Sequence, residues 1–446
     1  MLNYTKYFCL LIGFAIGYAS IAQGPFNMSV KKSRKIEFKL VNNLMVIPLE
    51  LNGNKLSFVL DTGVSKPILF NLVNTDSLKI NNVETIYLQG LGGEGSIEAL
   101  RSRKNILKVA EAVCVNQDVY VVFDSSINFT PRLGVTVHGI IGYDIFKDFV
   151  VEVNYGGKYI RLHKPDNFDY KTSKKWTTLP INLHKNKPYI DAEVNIKDRE
   201  IPVKLLIDTG GSDSVWLFED KKNGIVYPDS MYFEDYLGKG LSGAVYGKRS
   251  RLESFKVGDF MIRDPHVAYP DSVALSIARN YKDRNGSVAG NILKRFNYFF
   301  DYRKGLVQIK KNKNFKLPFY YNNAGIVLEQ SGERLVKERY REKGFDAYNS
   351  SENDGAQKID VAINYRFVLR PSYEIAELRE TSNAKIAGLM VGDIIVAINN
   401  SEVHAMSLQE VNKYFYNQEG KPISIKVDRN GELITFRFRL DNVFKK

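Results

Sequence analysis

The sequence predicts a mainly β protein, with two tandem β lobes followed by a smaller α+β unit. Three observations carry this. A strand–turn–strand unit ending in Asp-Thr-Gly occurs twice, at Asp61-Thr62-Gly63 and at Asp208-Thr209-Gly210. After each copy the same order of features recurs. The last third changes pattern, with alternating strands separated by short helical runs.

In the first copy, Met45 to Leu51 reads as a strand, Asn52-Gly53-Asn54 as a polar turn, and Leu56 to Leu60 as the returning strand. In the second, Tyr189 to Ile196, Lys197-Asp198-Arg199 and Val203 to Ile207 repeat that hairpin. Glycine-rich stretches follow, Gly90 to Gly95 and Gly238 to Gly243; Gly92 lies 31 residues after Asp61 and Gly240 32 after Asp208. Next come Ile140-Ile141-Gly142 and Val288-Ala289-Gly290, with Gly142 81 residues after Asp61 and Gly290 82 after Asp208. Each unit ends in an aromatic-rich strand, Phe149 to Tyr155 and Tyr298 to Tyr302. A duplicated β-fold without chemistry would have to explain why the same acid stands at a strand-to-turn junction twice. The lobes are expected over residues 35–163 and 176–312.

The chain has 446 residues, and its apolar and charged fractions, 44% and 25%, are those of globular proteins. Lys6, the apolar run Phe8 to Ala19 and the small residues Ser20-Ile21-Ala22 resemble a secretory signal over residues 1–22. The competing reading is a membrane anchor, for which the run is short. Cleavage would leave Cys114 as the one cysteine of a secreted or periplasmic, cell-envelope protein, so no intrachain disulfide is expected. Cys114 lies in an apolar strand and reads as a buried, inert thiol. The net charge of +13 is scattered and no nucleic-acid motif accompanies it, so a basic solvated surface is expected. No zinc-site spacing or phosphate loop is present, and neither metal nor organic cofactor is expected.

The duplicated unit resembles the aspartic peptidases, both the retroviral and the pepsin type. The resemblance covers roughly residues 35–312. It implies acid-protease-like β lobes facing each other across a bilobal cleft, with Asp61 and Asp208 as the catalytic pair hydrolysing a peptide substrate. Both halves lie in one chain, so no dimer is required to complete the site. Two close carboxylates cannot easily both ionise, so the pair shares a proton and can serve as base and acid; such a protease dyad is a standard example of this effect. By resemblance, Thr62 and Thr209 tie the two loops together, and Gly63 and Gly210 allow their close approach. Gly92, Gly93, Gly240 and Gly243 belong to flaps over the substrate, Tyr87 is a candidate cleft residue, and Ile140-Ile141-Gly142 and Val288-Ala289-Gly290 cross behind the aspartate loops. Val64 and Gly211 depart from the pattern, which often places a hydroxyl there; Ser212 is a candidate substitute.

Residues 317–446 resemble a PDZ domain of the kind attached to bacterial secreted proteases, on Ala387-Gly388-Leu389, Gly392-Asp393 and Ile398-Asn399-Asn400. Its first strands, Ala324 to Gln330 and Phe367 to Arg370, are expected to flank an inserted polar loop over 331–359. Leu408 to Tyr416 reads as a helix, and Asn430-Gly431 as a hairpin turn. The resemblance implies a groove for a peptide tail, or a module that only packs against the lobes. Two functions follow: an active aspartic endopeptidase, or a non-catalytic peptide-binding scaffold of the envelope.

Overall fold

The computed structural model describes residues 24–72, 78–92, 95–124, 127–276, 278–340, 364–416 and 419–444. The expected signal segment lies outside them. The architecture is mainly β, in four sheets.

In lobe 1 the strands Leu44–Leu51 and Asn54–Leu60 pair antiparallel, with Leu49 opposite Leu56, across the Asn52-Gly53 turn. Asn52 adopts φ 49° and Gly53 φ 86°, the conformation that a two-residue hairpin demands. The strand Gly139–Ile141 then runs parallel beside Asn54–Leu60, with Ile141 opposite Leu60. Alternation along Leu44–Leu51 buries Met45, Ile47, Leu49 and Leu51 against Leu56, Phe58 and Leu60. Lobe 2 repeats the arrangement. Lys187–Ile196 pairs with Arg199–Asp208, and Gly286–Ala289 runs parallel to the latter, with Ala289 opposite Asp208. Cys114 is fully buried in the lobe 1 core.

A six-stranded sheet joins the lobes. Val150–Asn154 of lobe 1 pairs with Phe296–Asp301 of lobe 2, Val153 opposite Tyr298. Its buried face carries an aromatic layer: Phe146 stacks on Tyr302 at 5.0 Å, and Tyr298 on Phe300 at 5.1 Å. The cores of both lobes merge through this sheet into one cluster. Aromatic burial on this scale dominates the packing energy of such an interface.

The C-terminal unit has its own core, built around Ile326, Ile375, Ile395, Ile425 and Phe415. The Asn430-Gly431 turn joins Pro422–Arg429 and Glu432–Arg439. The helix Leu408–Asn412 opens on a capping box between Ser407 and Glu410, and a 3-10 turn, Lys413–Phe415, continues it. The expected loop over 331–359 is corrected in its first part. Residues 331–340 extend the strand Ile326–Tyr340, which pairs with Asn364–Leu378 through Tyr340 opposite Asn364. This part of the hairpin projects beyond the core, so charged residues stand on it where a buried strand would be apolar. Glu338, for instance, holds Arg366 and Arg370. The rest of the expected loop, 341–359, lies outside the described residues.

Candidate active site

Asp61 ends the second hairpin strand of lobe 1 and Asp208 that of lobe 2, and both stand at the floor of a cleft of about 1340 Å³ between the lobes. Each carboxylate accepts a backbone N–H from the glycine two residues on: Gly63 to Asp61 Oδ1 at 2.6 Å, Gly210 to Asp208 Oδ1 at 3.0 Å. A methyl group on Gly63 would lie 2.9 Å from Asp61 Oδ1 and 3.7 Å from Asp208 Oδ1. The two carboxylates therefore flank one point.

Thr62 and Thr209 are fully buried beneath them and bond reciprocally. The Thr62 N–H donates to Thr209 Oγ1 and the Thr209 N–H to Thr62 Oγ1, while each hydroxyl donates to the opposite lobe, Thr62 to the Ile207 carbonyl and Thr209 to the Leu60 carbonyl. Every donor in this ring is satisfied across the lobe interface.

Ile140, Ile141 and Gly142 cross behind the first loop, and the Asp61 N–H donates to the Ile141 carbonyl at 2.8 Å. At Gly142 a Cβ would stand 1.9 Å from the Asp61 carbonyl oxygen, so only glycine fits there. Val288, Ala289 and Gly290 occupy the matching place in lobe 2, where the Gly290 N–H donates to the Gly211 carbonyl.

The glycine-rich stretches form the tips of two hairpins, Val83–Leu88 with Ile97–Val109 and Phe233–Gly240 with Gly243–Arg251. The tips touch each other. The Ser242 hydroxyl accepts from the Gly90 N–H at 3.0 Å, and the Ser242 N–H donates to the Leu91 carbonyl at 2.9 Å. Leu91 packs into a lobe 2 cluster with Leu237 and Val245, and Leu241 into a lobe 1 cluster with Ile68 and Ile140. Gly92, at φ 116°, faces the Ser242 carbonyl; Gly240 faces the Leu91 carbonyl; Gly243 begins the returning strand at φ 103°. Gly93 lies outside the described residues.

Tyr87 is corrected. Strand alternation turns it away from the cleft, where it is 69% exposed, while its neighbour Leu88 lines the cleft. The Ser212 hydroxyl does not reach Asp208 among the described residues; Ser212 instead gives its carbonyl to the Asn43 side chain.

Burial, then the charge of Asp208, raises the Asp61 pKa to about 7, against the pull of the Gly63 N–H and Lys187. Burial also raises Asp208, opposed first by the Arg284 guanidinium and then by the Gly210 N–H and Lys187. The sequence reading missed Lys187 and Arg284. Neither belongs to a recurring motif; strand pairing brings them to the site from 21 residues before Asp208 and 76 after it. Such a pair, holding one proton between two carboxylates on a cleft floor, can take a proton from water and give one to a carbonyl oxygen.

The C-terminal unit forms part of the same cleft through Ile326, Val327, Leu328, Lys413 and Tyr416. It docks on lobe 1. Arg132 pairs with Glu377 at 3.3 Å and with Glu329 at 3.5 Å, and Gln409 donates to the Leu133 carbonyl at 2.7 Å. The lobe 1 helix Thr130–Leu133 thus covers one end of the groove between Ile326–Tyr340 and Leu408–Asn412.

A search of curated proteins found no match. Two family models do match, one described as aspartyl protease over residues 47–145 and one described as PDZ domain over residues 374–429. The first spans Asp61-Thr62-Gly63 and Ile140-Ile141-Gly142; the second spans the turn at Gly392-Asp393 and the helix Leu408–Asn412. This chain carries an aspartyl protease domain in its first lobe and a PDZ domain towards its C-terminus.

Proposed function

We propose that the protein is an aspartic endopeptidase in which Asp61 and Asp208 activate a water on a peptide carbonyl. The observation that supports this most is the reciprocal bonding of Thr62 and Thr209 beneath two carboxylates that flank one point. It holds two proton-sharing acids in fixed relation at the floor of a peptide-sized cleft. The Arg284 and Lys187 charges favour the ionised form of Asp208, so the shared proton rests more with Asp61. Asp208 then takes the proton of the attacking water while Asp61 protonates the carbonyl oxygen. The flap tips close over the reacting bond and exclude bulk water.

The PDZ domain adds a wall to the cleft, and a substrate lying there would touch both domains. The apolar run at the N-terminus supports export to the cell envelope, where such a substrate would be met. The test is digestion of a peptide library, mapped by mass spectrometry across pH, beside Asp208→Asn. Cleavage lost in the variant and blocked by a statine-type transition-state mimic is the expected result. Undiminished cleavage by Asp208→Asn would overturn the proposal, and absence of cleavage at every pH would favour a peptide-binding scaffold.

A further inference from the structure

One corner of the cleft is cationic, and it belongs to lobe 2 alone. Tyr189 pairs with Leu206, and carrying that register two residues further sets Lys187 opposite Asp208. On the other side of the same strand, Ser287 pairs with Leu206 and Ala289 with Asp208. Residues two apart on a strand share a face. Lys187 and Tyr189 therefore stand on one side of the Asp208 strand and Ser287 on the other, all lining the cleft. Arg284 joins this row from the preceding turn, its Nη2 donating to Ser287 Oγ at 2.7 Å and its Nε to the Gly286 carbonyl at 3.0 Å. Tyr281 stacks on His184 at 4.2 Å and meets Tyr189 edge-on at 4.8 Å, giving the corner an aromatic wall.

Other cations of the cleft are neutralised within the protein: Lys66 by Asp144, Arg132 by Glu329 and Glu377, Arg249 by Asp213 and Asp235. Lys187 and Arg284 form no salt bridge among the described residues. Burial and the Arg284 charge hold the Lys187 ammonium below its ordinary pKa, a cost that a bound anion would relieve. Lobe 1 has no counterpart. Its left-handed turn Asn42-Asn43 (φ 47° and 68°) matches Lys185-Asn186 (φ 48° and 67°), but the next residue is Leu44 where lobe 2 has Lys187.

We propose that this corner is a specificity subsite for a substrate carboxylate, held between Lys187 and Arg284 beside the reacting bond. The inference rests on the peptidase reading and names the substrate class of that site. Two residues along a strand span about 7 Å, so the anion belongs to a substrate residue one or two positions from the scissile bond. An acidic side chain and a chain-terminal carboxylate offer the same group. A role limited to tuning the paired acids would change all substrates alike; a subsite changes acidic and neutral ones differently.

The experiment uses the full chain and a synthetic peptide library in matched pairs, Glu against Gln at every position and C-terminal acid against amide. Wild-type protein is expected to favour the acidic member at one fixed position by about tenfold or more, as charge-assisted hydrogen bonds are strong. A preference that follows Glu identifies a side chain, and one that follows the free terminus identifies a chain end. Arg284→Gln and Lys187→Leu should each erase the preference, while cleavage of the neutral member keeps its KM. The second variant installs the lobe 1 residue and guards against misfolding of the first. Cleavage with no preference for either carboxylate overturns the subsite and leaves the peptidase reading standing. If nothing is cleaved, retention of the same pairs on immobilised Asp61→Asn decides: selective retention of acidic peptides supports the subsite, and equal retention overturns it.

Discussion

Thr62 and Thr209 are 147 positions apart, yet the backbone N–H of each donates to the side-chain oxygen of the other, at 3.0 and 3.1 Å. This reciprocal bond fixes the spacing of the two aspartates that precede the threonines. Replacing either with Val keeps the volume but leaves the partner's N–H buried without an acceptor. Each single variant should lose about 1–3 kcal/mol in urea unfolding. The double variant should lose less than the sum, because both changes break one network.

Asp61→Asn should abolish cleavage and raise stability. With the folded pKa raised from 3.8 to about 7, the native state holds a proton that the unfolded chain releases. Stability contributed by the protonated group is full below pH 4 and is lost as pH rises towards 7. The variant escapes that loss. Its gain over wild type should be on the order of 2–4 kcal/mol at pH 8 and should vanish near pH 4, read as melting temperature against pH.

Cleavage should decline as pH rises through about 7, as the shared proton leaves the pair. An acid limb follows when the second carboxylate also protonates. Lys187→Leu removes a cation facing both acids, so the alkaline limb should move to higher pH. A limb that stays in place would separate Lys187 from the electrostatics of the pair.

Gly92→Ala should impair closure of the hairpin tips. A Cβ there would stand 2.0 Å from the Ser242 carbonyl oxygen, at a φ that disfavours any other residue. Because the tips lie over the cleft and outside the main core, kcat/KM should fall by about tenfold or more with little change in melting temperature. Gly142→Ala differs, since its Cβ would meet the Asp61 carbonyl; stability and cleavage should fall together.

Cutting the lobe 1 contact with the PDZ domain should alter substrate handling more than stability. Gln409→Ala removes the bond to the Leu133 carbonyl, and Arg132→Ala the pairs with Glu329 and Glu377. Each should raise KM for long peptides while short ones are unaffected, as measured by a peptide-length series.

Much of the β architecture was legible because the signals are local and recur. Asn52-Gly53 and Asn430-Gly431 demand hairpins, and the two Asp-to-Gly spacings agree to within one residue, so the strands behind each aspartate loop align. What escaped was set by pairing register and by faces. Lys187 and Arg284 reach Asp208 across neighbouring strands, which leaves no mark in spacing. Tyr87 was misplaced because alternation has two phases, and nothing in Val83–Leu88 says which one faces the cleft. Residues 331–340 read as a loop because a strand exposed on both faces and a loop draw on the same polar residues.

The sheet that joins Val150–Asn154 to Phe296–Asp301 has a consequence for how this protein can change. In an assembly of two identical subunits every substitution appears twice, and a residue that helps one side of the cleft is imposed on the other. Here the halves are separate stretches of one chain, sewn together by unlike strands. Leu44 can stay apolar while Lys187 becomes a cation, and no compromise between them is required. Duplication thus gave this protein a cleft with two independently editable walls.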